Sequence, residues 1–256
     1  MTPKQKSIFH YVTAPAPRYM LRISVLDKLF KKYLNNSNLS FVEIGPGLGD
    51  LSNYLIEHAR VSEGCAVEAS NKAIMGLKDR FEHYDEFKLF KGDFSQTCFE
   101  NKNIICAFEV LEHIEDDIPF LKKINQSLVK GGLLFLSVPA YKKKWQRQDE
   151  WAGHVRRYEK EELKEKLSRA GFEVKEMIDY GFPLMTLLSP IKQLYYKKGD
   201  DKGVVEKTHN SGIDRPIFGN KNPWLFYIIY APFILMQKLF YGSERGDGLI
   251  VVAKKA

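Results

Sequence analysis

Cysteine is scarce in this chain of 256 residues, and its three copies do not form a recognisable set. Cys65, Cys98 and Cys106 are far apart, odd in number and without C-x-x-C spacing, which argues against a disulfide framework or a zinc ribbon. The amino-terminal residues contain no long apolar stretch of the kind that marks a secretory signal. Both absences predict a cytoplasmic protein in a reducing compartment.

Long hydrophobic runs are also missing. The run Trp224–Met236 is shorter than the roughly 17–25 apolar residues that a membrane span needs, and Pro232 and Lys238 interrupt this region. Four interpretations of this aromatic segment stay open: plain core packing, a lid over an apolar or lipid-linked acceptor, a homodimer interface, or an interfacial segment in peripheral contact with a membrane. The formal net charge of +7 fits a solvated basic surface or an anionic partner equally well.

Short apolar strands alternate with amphipathic helices through most of the chain. After a helix over residues 18–34, strands are predicted at about 39–44, 64–68, 87–91, 103–108, 133–138 and 172–179, with helices at 50–58, 71–80, 117–129 and 159–170 between them, and a seventh strand at 248–253. This pattern predicts an α/β fold with a Rossmann-like, doubly wound sheet covered on both faces. We divide the chain into an N-terminal helical segment (1–40), a core (41–182), an aromatic-rich helical insertion between strands six and seven (183–247) and a final core strand (248–256).

A glycine-rich loop follows the first strand. Gly45, Gly47 and Gly49 in FVEIGPGLG allow a tight turn and the close approach of a ligand to the backbone. Acidic residues accompany it: Glu43 lies within the first strand, and Glu68 and Asp93 close the second and third. An acid after the second strand can accept both hydroxyls of a ribose, so the sequence predicts a nucleotide-like ligand at this edge.

These segments resemble the class I S-adenosylmethionine-dependent methyltransferases. FVEIGPGLGDLS, AVEAS, KGDF, AFEVLEHI and GGLLFLSVP carry the resemblance, whose first motif is E-x-G-x-G-x-G and differs from the G-x-G-x-x-G of nicotinamide enzymes. The resemblance implies a seven-stranded sheet with an antiparallel last strand, and S-adenosylmethionine across the glycine loop, with S-adenosylhomocysteine as product. By motif, Gly45 and Gly47 would face the methionine part, Glu68 the ribose and Asp93 the adenine. The predicted cofactor contacts also include four further residues: Glu43, Gly49, Phe94 and Glu109.

The segment after the fourth strand has the spacing of metal ligands. Glu109, Glu112 and His113 stand at i, i+3 and i+4 of one turn. The segment is similar to its counterpart in ubiquinone-pathway O-methyltransferases and small-RNA 2′-O-methyltransferases, where a second histidine, here His154, completes a site for a divalent ion such as Mg²⁺. Such an ion would activate a substrate hydroxyl. Without a metal, His154 or His113 is the candidate general base.

The loop between the fifth strand and the next helix is basic and aromatic. We predict that it binds the acceptor through Tyr141, Trp145, Arg156, Arg157 and Tyr158. Its D-E-x-x-G-H-x-R-R-Y pattern resembles segments of methyltransferases linked to cell-envelope or lipid-linked substrates. Pairing of an arginine with Asp149 or Glu150 is the alternative.

The predicted function is therefore methyl transfer from S-adenosylmethionine to a small-molecule or lipid-/sugar-linked acceptor at oxygen. The alternatives are an RNA 2′-O-methyltransferase with a Glu-x-x-Glu-His metal site and a cofactor-binding scaffold without catalysis. No separate RNA-binding domain is recognisable, which argues against nucleic acid as a partner.

Overall fold

A computed structural model describes residues 7–34, 38–58, 61–195 and 223–256. The strands it contains are β1 (Leu39–Ile44), β2 (Val61–Glu68), β3 (Phe87–Lys91), β4 (Lys102–Phe108), β5 (Leu128–Pro139), β6 (Phe172–Tyr180) and β7 (Gly248–Lys255). The helices are α1 (Pro17–Tyr33), α2 (Asp50–His58), α3 (Asn71–Phe81), α4 (Asp117–Ser127), α5 (Arg147–Ala152), α6 (Lys160–Arg169), α7 (Leu184–Tyr195) and α8 (Pro223–Met236).

All seven strands form one sheet in the order β3-β2-β1-β4-β5-β7-β6. The pairings from β3 through β5 are parallel, whereas β7 lies antiparallel between β5 and β6. The predicted fold class and the antiparallel last strand are confirmed. The strand order reverses at β1 and β4, and in open α/β sheets such a switch point is where ligands bind, at the carboxyl ends of the strands.

The core lies on both faces of this sheet. Phe41 and Val42 are neighbours on β1, and they belong to two different clusters of buried side chains, one on each side. Because successive strand residues point to opposite faces, this division explains why the central strands are apolar along their whole length. Helix α1 begins with Pro17 in its first turn and packs against one face, where the Phe30 and Phe135 rings lie 5.0 Å apart.

The start of β5 differs most from the predicted boundaries. The helix expected to reach residue 129 ends at Ser127, and β5 begins at Leu128, five residues before the expected start. Leu128 pairs with Lys102, and Gly131 adopts a φ of +77°, so the strand passes through an irregularity before regular pairing begins at Leu133. In addition, the basic loop contains the short helix α5, which the sequence pattern did not predict.

The insertion between β6 and β7 contributes α7, α8 and a 3-10 turn, Gln237–Phe240. The predicted polar connection, residues 197–222, lies outside the described residues. Among those that are described, no helix has the length and apolar character required to cross a membrane.

Candidate active site at the carboxyl edge of the sheet

The glycine loop turns sharply after β1. Gly45, Gly47 and Gly49 adopt φ angles of +64°, +58° and +75°, which side chains with a Cβ rarely adopt. A Cβ on Gly45 would also come within 2.9 Å of the Val110 side chain. The loop therefore requires glycine for its backbone conformation and for its packing, as the sequence predicted.

Glu68 connects the end of β2 to this loop. Its carboxylate accepts hydrogen bonds from the Gly47 amide at 3.3 Å and the Ser70 amide at 2.7 Å. Asp93, at the end of β3, is exposed and accepts from the Ser95 amide at 2.7 Å, while Phe94 beside it is buried. The acids predicted for the ribose and the adenine thus lie at adjacent strand ends, along one side of the loop.

Glu43 lies beneath the loop rather than on it. Its side chain is buried, and its carboxylate accepts a hydrogen bond from the Ser52 hydroxyl on α2. Desolvation by burial raises the pKa of Glu43 to about 7, although the Ser52 hydrogen bond opposes the shift. The contact supports the junction of loop and helix, and direct contact of Glu43 with a cofactor stays a prediction.

Glu109 follows β4 and anchors the amino-terminal helix. The residue adopts a φ of +59°, and its carboxylate pairs with Arg18 and Arg22 of α1. It also accepts hydrogen bonds from the hydroxyls of Ser137 at 2.9 Å and Tyr180 at 3.2 Å. Burial alone would raise the pKa of Glu109, but the two arginines outweigh it and hold the pKa below its usual range.

Asp247 extends this charged group toward the insertion. Its carboxylate pairs with Arg18 Nε at 2.7 Å and lies 3.7 Å from Arg157 Nη1. Burial would raise the pKa of Asp247, yet the positive charges of Lys192 on α7, Arg18 and Arg157 keep it low. Arg18, Arg22, Asp247 and Lys192 were not predicted as site residues, because they come from distant parts of the chain and carry no motif.

Three of the four predicted metal ligands come together. Ligating atoms of Glu112, His113 and His154 all lie within 4.8 Å of one another. His154 Nε2 is 3.7 Å from Glu112 Oε1, and the two imidazole rings are 4.9 Å apart. The fourth, Glu109, instead forms ion pairs with the arginines of α1.

The carboxylate of Glu112 is fully buried, and neither of its oxygens has a hydrogen-bond partner among the described residues. Burial and the nearby charge of Glu109 raise its pKa well above the usual value. A buried carboxylate without a donor is uncommon and costly, so it points to a proton or a bound cation at this position.

Both histidines are oriented through Nδ1. In His113 this atom lies 3.1 Å from the Gly153 carbonyl, and in His154 it lies 2.8 Å from Asp149 Oδ1. An oxygen acceptor beside Nδ1 favours the tautomer that is protonated at Nδ1, which leaves the Nε2 lone pair free to bind a metal. Metal-binding histidines usually donate their other ring N–H to an oxygen in this way. Burial lowers the pKa of His113 to about 4, so its ring is neutral near pH 7.

Asp149 organises the whole basic loop. Besides His154, it accepts a bidentate pair from Arg157 Nε and Nη2, each at 2.9 Å, and the Gln146 amide at 2.7 Å. Arg157 and Asp149 are both buried. The alternative for this loop, an ion pair between an arginine and Asp149, is therefore present.

The other predicted acceptor residues also have partners within the protein. Arg156 and Tyr158 both donate to Asp117 at 3.0 Å, and Tyr141 donates to Asp179. Trp145 is more exposed and donates to Glu150 at 3.3 Å. Because Tyr141, Arg157 and Tyr158 are at most 4% exposed, the structure favours a supporting role for these three over direct contact with an acceptor.

Comparison with known proteins decides the family. A family model described as a methyltransferase domain matches residues 16–177, more than half of the chain. The chain belongs to the class I methyltransferases. The match covers the glycine loop, the Glu112 group and the basic loop.

Curated relatives of this methyltransferase match over shorter stretches. Ribosomal RNA small subunit methyltransferase A of Prochlorococcus marinus is 34% identical over 110 residues, which is 42% of this chain and 37% of that protein. The protein of the same name from Borrelia garinii is 28% identical over 117 residues, 45% of this chain and 41% of its own length. The match therefore spans about two fifths of these relatives.

Solved structures share the fold of this methyltransferase over most of its length. An S-adenosylmethionine-dependent methyltransferase from Mesorhizobium loti has a TM-score of 0.56 at 13% identity, over 87% of this chain and 94% of the other. The N-methyltransferase NodS of Bradyrhizobium japonicum, solved with S-adenosylhomocysteine, has a TM-score of 0.54 at 13% identity, over 91% and 86%. At these identities the likeness concerns the fold alone.

Proposed function

We propose that the protein transfers a methyl group from S-adenosylmethionine to a hydroxyl oxygen of a small-molecule or lipid-/sugar-linked acceptor, and that a divalent ion held by Glu112, His113 and His154 assists the transfer. The observation that carries the proposal is the buried carboxylate of Glu112, which has no hydrogen-bond donor in the described part of the chain and lies beside two oriented imidazoles. The group lies at the carboxyl edge of the sheet, near the glycine loop where the family binds its cofactor.

The residues around the loop fit the cofactor. The positive-φ glycines leave room for a ligand against the backbone, and Glu68 and Asp93 offer carboxylates at successive strand ends. S-adenosylmethionine supplies an electrophilic methyl group on a positively charged sulfur. The task of the protein is to hold the acceptor oxygen in line with that methyl group and to keep water away.

The donor set also fits a metal. Glu112 would contribute an oxygen and both histidines would contribute Nε2, with Gly153 and Asp149 fixing the rings from behind. A bound divalent ion lowers the pKa of a hydroxyl that it binds. Two imidazoles and one carboxylate suit Fe²⁺, Ni²⁺ or Zn²⁺ better than Mg²⁺, so we propose an ion of this borderline class in place of the expected Mg²⁺.

The test combines metal content with methyl transfer. Purified protein is dialysed against Zn²⁺ or Mg²⁺, and its bound metal is measured. Transfer of a labelled methyl group from S-adenosylmethionine is then followed before and after chelation. The acceptors are a panel of hydroxyl compounds that includes a lipid extract. We expect about one Zn²⁺ per chain and a loss of at least tenfold in transfer on chelation. Glu112→Gln should lose both, whereas Glu115→Gln, an exposed neighbour on the same segment, should keep both.

The outcomes separate the parts of the proposal. Transfer that survives chelation refutes the metal and leaves His154 as the general base, because Asp149 holds its ring as a catalytic base requires. Cofactor binding without transfer to any acceptor would support the scaffold without catalysis.

RNA is the second candidate acceptor. It is supported by the likeness to the ribosomal RNA methyltransferases and by the net charge of +7. Affinity for RNA that falls steeply as salt is raised, together with label in RNA and none in the other acceptors, would favour it.

A further inference from the structure

Exposed apolar side chains are concentrated in the insertion. Of the thirteen large hydrophobic side chains exposed in the described part of the chain, nine lie on α7, on α8 or on the turn that follows α8. Scattered exposed hydrophobics are normal, but a concentration of this kind marks a binding surface.

Helix α7 has one apolar outer face and one face toward the site. Leu187, Ile191 and Leu194 are spaced by four and three residues, and each is more than 60% exposed. On the inner side Met185 is buried, and Ser189 accepts a hydrogen bond from Gln146 of the basic loop at 2.7 Å. The inner side of α7 therefore packs against the basic loop, and its outer face is exposed.

Helix α8 is apolar on all sides, which is typical of a buried helix. Its inner side chains pack inward: Tyr230 and Ile234 are buried, and the Tyr227 ring lies 4.5 Å from that of Phe9. Its outer stripe is left uncovered by the described residues, with Ile228 at 66% and, on the following turn, Leu239 at 80% exposure. Within the described part of the chain, this stripe is therefore open to an apolar partner.

The charged residues of α7 and α8 indicate which kind of partner fits this apolar surface. Residues 184–195 and 223–240 contain no aspartate or glutamate, and their only charged side chains are Lys192 and Lys238. Lys238 is exposed next to Leu239. An apolar surface that carries the exposed Lys238 and no acidic side chain is complementary to an anionic lipid surface.

We propose that α7 and α8 dock the protein in the plane of an anionic membrane surface. Neither helix is long enough to cross a bilayer, so both lie in the interface with their outer stripes among the lipid chains. The proposal is independent of the proposed acceptor, since docking would hold for any reaction at the site. It would bring the basic loop, on the inner side of α7, close to the lipid surface.

The test is flotation of the full chain with vesicles of phosphatidylcholine alone or with one quarter phosphatidylglycerol. We expect the protein to float with the anionic vesicles. Leu187→Gln combined with Ile228→Gln should reduce the vesicle-bound fraction at least about tenfold, because two inserted side chains are lost. Lys238→Gln should weaken binding to the anionic vesicles about fivefold, the effect of one basic residue near the surface.

A matched control is Met75→Gln combined with Phe90→Gln, which removes two exposed hydrophobic side chains outside the insertion. It should float as the unmodified protein does. Unchanged binding of S-adenosylhomocysteine shows that each variant is folded. Equal flotation of the control and the α7/α8 variant would overturn the proposal. An absence of flotation would also overturn the proposal. If the unmodified protein then sediments as a dimer and the α7/α8 variant as a monomer, a second copy of the chain covers this surface.

Discussion

Glu43 offers a direct test of the electrostatics beneath the glycine loop. Its pKa of about 7 lies above the ordinary value of 4.5, because burial disfavours the charged carboxylate. Between these two pH values the folded protein holds a proton that the unfolded chain has released. The free energy of unfolding therefore decreases as pH rises through this window, and above pH 7 the full cost of ionising the buried group is present.

Replacing Glu43 with glutamine removes this dependence, since the amide is neutral at every pH. With the two pKa values above, ionisation of Glu43 costs the folded state about 1 kcal/mol at pH 5 and about 3 kcal/mol at pH 8. We therefore expect the stability of Glu43→Gln relative to the unmodified protein to increase by about 2 kcal/mol between pH 5 and pH 8. Any constant effect of the amide on the Ser52 hydrogen bond cancels in this difference.

The assay is urea unfolding of both proteins at pH 5 and pH 8, without cofactor and at one ionic strength. Glu86→Gln, at an exposed position, controls for the loss of one carboxylate from the chain. A relative stability of Glu43→Gln that is the same at both pH values would show that Glu43 is not a buried acid with a raised pKa, and the assignment of its role beneath the loop would fail.

Two further predictions concern the basic loop and the cofactor. Asp149→Asn removes the bidentate ion pair of the buried Arg157 and leaves it, among the described residues, only the longer ion pair with Asp247 at 3.7 Å, so it should lower the free energy of unfolding by about 3 kcal/mol in urea titrations. A loss no larger than that of the neighbouring Glu150→Gln would contradict the role of Asp149. Glu68→Gln should weaken binding of S-adenosylhomocysteine about 10- to 100-fold by calorimetry, because a charged hydrogen-bond acceptor is lost. Glu63→Gln, on the opposite end of β2, should bind as the unmodified protein does.

The sequence predicted what is local to each strand end. The glycine loop, Glu68 and Asp93 are recognisable because each lies directly after its own strand, and parallel strands place their carboxyl ends at one edge. The Glu112 and His113 pair was recognisable from spacing within one turn, and His154 only through the family resemblance. Apart from His154, each of these site residues could be predicted from residues close to it in the sequence.

The rest depends on contacts between distant residues. Arg18 and Asp247 are at opposite ends of the chain, and no local pattern marks their pair, which forms because β7 lies beside β5. The strong positive charge of the basic loop suggested an anion site, but Arg156 and Arg157 neutralise Asp117 and Asp149 instead. Burial decides between these uses of an arginine, and burial is a property of the folded chain.

The contacts of Asp149 restrict how the basic loop can evolve. One carboxylate holds the ring of His154, the guanidinium of Arg157 and the backbone of Gln146. A change at Arg157 alone leaves Asp149 short of its counter-charge, and a change at Asp149 alone disturbs the orientation of His154. Single substitutions here are therefore coupled to the site even where they never touch a substrate, and the segment 149–157 should be inherited or replaced as one unit.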